Sequence, residues 1–186
     1  MDEAVRQALH DYATQQDATT YEKLRQALID SPDYCPYESV LDGVRSLFDA
    51  GECETALKNL VPRMSNYLLS PQAHLLTFYL LRELGHKRAA RSAAAFHRLM
   101  LEGLLSTGDG SRERPYKVTH VSDEYDVLES FEKEVDSQSL IREPEHSYDK
   151  LICSDRTEYW FEITDLVARQ ESLRAKPDPR TGGAGR

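Results

Sequence analysis

The chain has 186 residues and a net charge of −9, from 32 acidic and 23 basic side chains. A hydrophobic fraction of 40% can fill a core at this length, while the acid excess argues against general affinity for phosphate backbones, which needs clustered cations. No run approaches the ~20 apolar residues of a membrane span, and the acidic start MDEAVRQALHDYATQQD lacks the apolar core of an export signal. Cys35, Cys53 and Cys153 are odd in number and widely spaced, which suits neither a disulfide framework nor a zinc site. Together these features lead us to expect a cytoplasmic protein without membrane contact.

Val5, Ala8, Leu9 and Tyr12 predict a first helix over 3–14. A second is expected over 19–30, capped by Thr19 or Thr20 and stopped by Ser31-Pro32-Asp33, because proline disfavours helix in the residue before it. Tyr34 to Tyr37 reads as an extended connector. A third helix over 38–50 turns Val40, Leu41, Val44, Leu47 and Phe48 inward and ends at Gly51, where a left-handed cap favours glycine. The fourth begins near 53 and buries Ala56, Leu57, Leu60, Val61 and Met64, with Pro62 kinking or splitting it. Ser70-Pro71 opens the fifth, whose stripe includes Leu75, Leu76, Tyr79 and Leu80 and which closes at Gly85. The sixth spans 87–105 and packs through Ala89, Ala90, Ala93, Phe96, Met100 and Leu104.

After the turn-rich Thr107-Gly108-Asp109-Gly110-Ser111 the period changes. Residues 116–120 alternate as a strand. Ser122 is expected to cap a helix over 123–133, with Tyr125, Leu128 and Phe131 as its inner face. Strands follow at 139–142, 148–153 and 158–164, the last two joined as an antiparallel hairpin through Ser154 to Thr157. A final helix over about 165–174 precedes a Pro-, Gly- and Arg-rich tail from Ala175, expected to be disordered. The fold class is therefore α+β: a stack of antiparallel helices, then a small antiparallel sheet with one or two helices. The expected boundaries are 1–106, 107–174 and 175–186. Acid concentrates in the second unit, where residues 108–165 hold 16 acidic and 7 basic side chains.

Over 37–105 a spacing of thirty-four recurs: Gly51 with Gly85, Ala56 with Ala90, Leu47 with Leu81, and Leu41 with Leu75. The segment LFDAGECETALKNLVPRMSNYLLSP (47–71) resembles a tetratricopeptide unit, and 81–105 a degenerate copy with Leu105 at the position of the closing proline. That resemblance implies a surface for protein partners. The order YEKLRQALIDSPDYCPYE, helical pairs, STGDG, YKVTHVSDEYDVL and YWFEI, over about 20–165, is similar to an uncharacterised bacterial domain-of-unknown-function family, numbered four-nine-one-nine. It implies a helical front and a small α+β back, with no assigned activity.

Candidate chemistry is sparse. The Gly108–Gly110 turn lacks the Lys-Ser/Thr ending and following helix of a phosphate loop, so it reads as an interdomain turn. His120 with Asp123, Glu124 and Asp126 is the densest titratable group, a pattern that can serve a general base or a metal, although no HExxH motif accompanies it. A cleft holding Asp109, His120 and Glu124 is thus the place for an enzyme or ligand-sensor site. No motif indicates a cofactor. Arg82, Lys87, Arg88, Arg91 and Arg98 form a basic face with Glu83 as the one acid in the stretch. The first reading is that this face docks on the acidic second half. An acidic protein partner comes next and nucleic acid last. The best overall reading is a non-catalytic protein-interaction or scaffold module, with self-association as a third alternative.

Overall fold

A computed structural model describes residues 1–175. The predicted tail lies outside them except for Ala175, which is the last residue of a helix. Helix α1 (Glu3–Thr14) is capped by the Asp2 carboxylate, which accepts from the Val5 amide. Helix α2 (Ala18–Asp30) starts earlier than its threonines suggest. Asp17 is the N-cap, and Thr20 answers from the third position to close a capping box. The α1–α2 pair lies against Gly103, where a Cβ would sit 2.2 Å from the Tyr21 ring and 2.6 Å from the Tyr12 hydroxyl. Tyr12 Oη donates to the Leu99 carbonyl at 2.9 Å, fixing that approach.

Helices α3 (Val40–Asp49) and α4 (Cys53–Leu60) are followed by a short 3-10 turn (Val61–Arg63), α5 (Pro71–Glu83) and α6 (Lys87–Leu105). Pro62 splits the fourth helix rather than kinking it, and Val61, expected inside, is 56% exposed. Gly51 (φ 77°) and Gly85 (φ 78°) take the left-handed conformation. Each ends its helix with the same bond pair. Gly51 N–H donates to Phe48 O and Glu52 N–H to Leu47 O, while Gly85 N–H donates to Arg82 O and His86 N–H to Leu81 O. Both are Schellman motifs, so the thirty-four-residue spacing is a repeated backbone geometry. Leu41, Val44, Ala56, Leu60, Tyr67, Ala73, Leu76 and Leu80 form one hydrophobic cluster inside this part.

Strand β1 (Tyr116–Lys117), helix α7 (Ser122–Ser130), strands β2 (Val135–Arg142), β3 (Ser147–Cys153) and β4 (Glu158–Glu162), and helix α8 (Thr164–Ala175) complete the fold. The class is α+β, as expected. The sheet order is β1-β4-β3-β2, and it is mixed: β2–β3 and β3–β4 are antiparallel, while β1 runs parallel to β4. Only two of the five residues expected in the first strand belong to it. Val118 to His120 leave the ladder to lead into α7, where the Thr119 and His120 amides donate to the Asp123 carboxylate instead. A second hydrophobic cluster joins Val5, Tyr12, Leu24 and Leu28 of the first helices, Met100 and Leu104 of α6, and Val118, Val127, Leu151, Phe161 and Ile163. The sheet therefore shares its core with α1, α2 and α6.

The inner face of α7 differs most from expectation. Tyr125 and Phe131, predicted to face the core, are 45% and 39% exposed. Asp123, Glu124 and Asp126 are buried there with Val127 and Leu128. Val121 occupies the cap position and Ser122 makes no capping bond.

Candidate functional site

Burying three carboxyls on one short helix requires partners, and the surroundings supply them unevenly. One oxygen of Asp123 accepts from the Thr119 amide, the Thr119 hydroxyl and the His120 amide, each at 2.9 Å. The carboxylate thereby fixes the turn that leads from β1 into α7. Asp126 accepts from the Gln72 amide at 3.0 Å, in the first turn of α5, where exposed amides favour an anion. Glu124, 0% exposed, faces Gln138 Nε2 at 3.3 Å, and the same amide donates to Asp149 at 2.9 Å. Burial raises Asp123 to about 6 against backbone hydrogen bonds that lower it. Burial first, and then the neighbouring Asp149, push Glu124 up to about 10, so it is a neutral acid at pH 7. Asp126 is raised well above the ordinary carboxylate range by burial and by Asp123.

His120 stands beside this group, stacked on Tyr67 at 4.7 Å between centroids and edge-on to Tyr34 at 5.9 Å. Burial lowers it to about 3, so the ring is neutral. Its Nδ1 lies 3.3 Å from the Thr119 hydroxyl. That hydroxyl gives its proton to Asp123, so Nδ1 is the protonated nitrogen and Nε2 keeps a lone pair. Among the described residues no donor meets His120 Nε2, Asp123 Oδ1 or Glu124 Oε1. Because Asp123 spends its contacts on the 119–120 backbone, it does not orient the imidazole as in a His–Asp dyad. Among the described residues no group of three potential ligands is placed to hold a metal ion.

A pocket of about 230 Å³ opens beside His120, lined by Tyr37, Ser39, Asp42, Tyr67, Gln72 and Ser122 among others. The expected cleft residues are thus brought together only in part. His120 forms a wall, and Glu124 is buried against Gln138 and Asp149. Asp109 is exposed and serves its own turn, accepting from the Ser111 amide at 3.0 Å and pairing with Arg114 at 3.4 Å. Gly110 (φ 77°) passes its carbonyl to Trp160 N–H at 2.9 Å, a structural use of the glycine-rich turn. Asp149, Gln138, Tyr37 and Tyr67 had no local signal, because two strands, the connector and the turn before α5 bring them in from distant positions.

The basic face is placed otherwise than expected. Arg82 packs over Phe78 and Tyr79 and pairs with Glu83 at 3.2 Å. Lys87, Arg88, Arg91 and Arg98 are exposed and make no ion pair among the described residues, so the face does not dock on the acidic half. Beside it, Leu57, Val61, Pro62 and Leu84 line an open groove of about 700 Å³, with Glu54, Lys58 and His86 at its rim. His86 also borders a depression of about 510 Å³ formed with Lys87, Arg88, Ala89 and Ser92.

A family model described as Domain of unknown function (DUF4919) matches residues 31–170. The chain belongs to that family. The DUF4919 match starts at Ser31, so it takes in the connector, both Schellman turns, the His120 group and the whole sheet. It leaves outside α1 and α2, although their side chains enter the larger core. No curated protein and no solved structure matches the chain. Among the described residues no helix is long and apolar enough to cross a membrane.

Proposed function

We propose that this DUF4919 chain is a non-catalytic protein-interaction module. In this reading the helical hairpins act as tetratricopeptide-like repeats, and the groove beside the Gly85 turn receives an apolar segment of a protein partner flanked by acidic residues. The observation that carries the reading is the open apolar lining of Leu57, Val61, Pro62 and Leu84 next to Lys87 and Arg88, which have no ion-pair partner among the described residues. An apolar floor supplies binding free energy, and His86, Lys87 and Arg88 select acidic flanks. The three free cysteines suit a reducing cytoplasm.

Selection of displayed random peptides on the intact chain tests this. Enriched peptides are expected to carry a bulky apolar residue beside Asp or Glu. They are expected to lose at least about tenfold in affinity on Val61→Asp and on the double change Lys87→Glu with Arg88→Glu. Enriched peptides without acidic bias, or binding untouched by both variants, would overturn it.

A second reading rests on His120. Its Nε2 lone pair, without a donor among the described residues and beside the small pocket of mixed lining, favours a ligand that donates a hydrogen bond. Ammonium and alkylamine titrations followed by the His120 ring nitrogen shifts would test this. A shift confined to Nε2 supports it, and invariance on saturation removes it.

A further inference from the structure

Among the described residues strand β2 is an edge of the sheet, since the order β1-β4-β3-β2 leaves its outer side without a partner strand. Edge strands usually carry lysine, proline or a bulge to prevent pairing with another chain. Here the bulge lies at the start, between Val135 and Ser137, and residues 137–142 pair with β3 in unbroken register. Between Asp136 and Arg142 the sequence Ser137-Gln138-Ser139-Leu140-Ile141 contains no charge and no proline. Leu140 is 52% exposed.

The backbone restricts how this edge can pair. Glu143 N–H donates to His146 O at 2.8 Å, just beyond the Arg142↔Ser147 pair. In an antiparallel ladder hydrogen-bonded pairs alternate with non-bonded ones. Ile141, Ser139 and Ser137 therefore bond to β3, whereas Arg142, Leu140 and Gln138 turn their N–H and C=O groups outward. A second antiparallel strand must set outward-turned residues opposite outward-turned residues. Charge distinguishes among such registers. With a two-fold axis through Ser139, Asp136 stands opposite Arg142 of the other copy at both ends, and Gln138 stands opposite Leu140.

We propose that the protein forms a two-fold dimer by antiparallel β2–β2 pairing centred on Ser139, extending one sheet across both copies. The occupant is a second copy because the edge is complementary in charge to itself: its acidic and basic ends exchange places under the two-fold.

Sedimentation velocity of the intact chain over a concentration series tests this, with circular dichroism as a check on folding. A concentration-dependent dimer is expected. Leu140→Pro removes an amide turned to solvent in the monomer, so the β2–β3 ladder survives, and the dimer is expected to vanish. Asp136→Arg and Arg142→Asp should each weaken association about tenfold, and their combination should restore it. A monomer at every concentration overturns the proposal, as does a dimer indifferent to Leu140→Pro or a combined charge swap that fails to restore pairing.

Discussion

Glu124 makes the acid cluster of α7 a source of pH-dependent stability. Its ordinary value is 4.5 and burial beside Asp149 raises it to about 10. Between those limits the folded chain holds a proton that the unfolded chain releases, so stability is present below 4.5 and falls as pH rises toward 10. Asp123, raised from 3.8 to about 6, acts in the same direction over its narrower window. His120 opposes both: lowered from 6.5 to about 3, it is neutral when folded, and stability rises with pH between those values. Asp126, also raised well above the ordinary carboxylate range by burial, acts in the same direction as Glu124. Glu124→Gln keeps the shape of the neutral acid and its contact with Gln138. It should raise stability at pH 8 by roughly 1–3 kcal/mol and have a smaller effect at pH 5. Urea unfolding of both proteins at the two pH values checks this, and equal differences at both would show that Glu124 ionises without penalty. At Gly103, helix propensity and packing act in opposite directions. Alanine gains up to about 1 kcal/mol in a helix, yet its Cβ would lie 2.2 and 2.4 Å from carbons of the buried Tyr21 ring. Packing decides, and Gly103→Ala should lower stability by about 1–2 kcal/mol, measured by its thermal midpoint.

The two helical turns show what sequence can reveal about an element. Gly51 and Gly85 could be read in advance because a left-handed cap is a local requirement that glycine meets without strain. Nothing lies within 4 Å of a Cβ built at either position, so alanine there meets backbone strain alone. Gly51→Ala and Gly85→Ala should each cost about 1 kcal/mol. Gly43 is inside α3, without positive φ and with open space around it. Gly43→Ala should therefore stabilise by roughly 0.5–1 kcal/mol. Thermal unfolding of the three variants compares them directly, and a Gly51→Ala protein as stable as its parent would refute the strain argument. Helix α7 was illegible for the opposite reason. Periodicity assigns Tyr125 and Phe131 inward, but the first turn of α5, the Thr119–His120 amides and Gln138 receive its acids instead. Those partners come from elsewhere in the chain, and no local pattern announces them. The early end of β1 is illegible likewise, because the amides of Thr119 and His120 serve Asp123 instead of a ladder.

At the scale of the whole molecule, the last helix secures the first connector. Arg169 of α8 donates from Nε to Tyr34 O at 3.0 Å and from one terminal nitrogen to Ser31 O and Pro32 O at 3.1 and 3.0 Å. One residue type can reach three carbonyls this way because its planar fork carries five donors. The same connector is held by Tyr34 Oη, which donates to Thr119 O at 2.6 Å, and by Asn66, which bonds both polar backbone groups of Cys35. Nearby, buried Arg25 of α2 donates to Asp165 of α8 at 2.9 Å. The chain's late helix thus fastens the segment that carries Tyr37 to the pocket beside His120. Arg169→Ala leaves three carbonyls to water or to no partner and should lower stability by about 2 kcal/mol. Arg169→Lys keeps the charge but loses the fork, and should recover less than half of that loss. Equilibrium unfolding gives both values, and limited proteolysis between Pro32 and Tyr37 reports the connector directly. An Arg169→Ala protein with an unchanged midpoint and an uncut connector would show that the shared hydrophobic core alone joins the two ends of the chain.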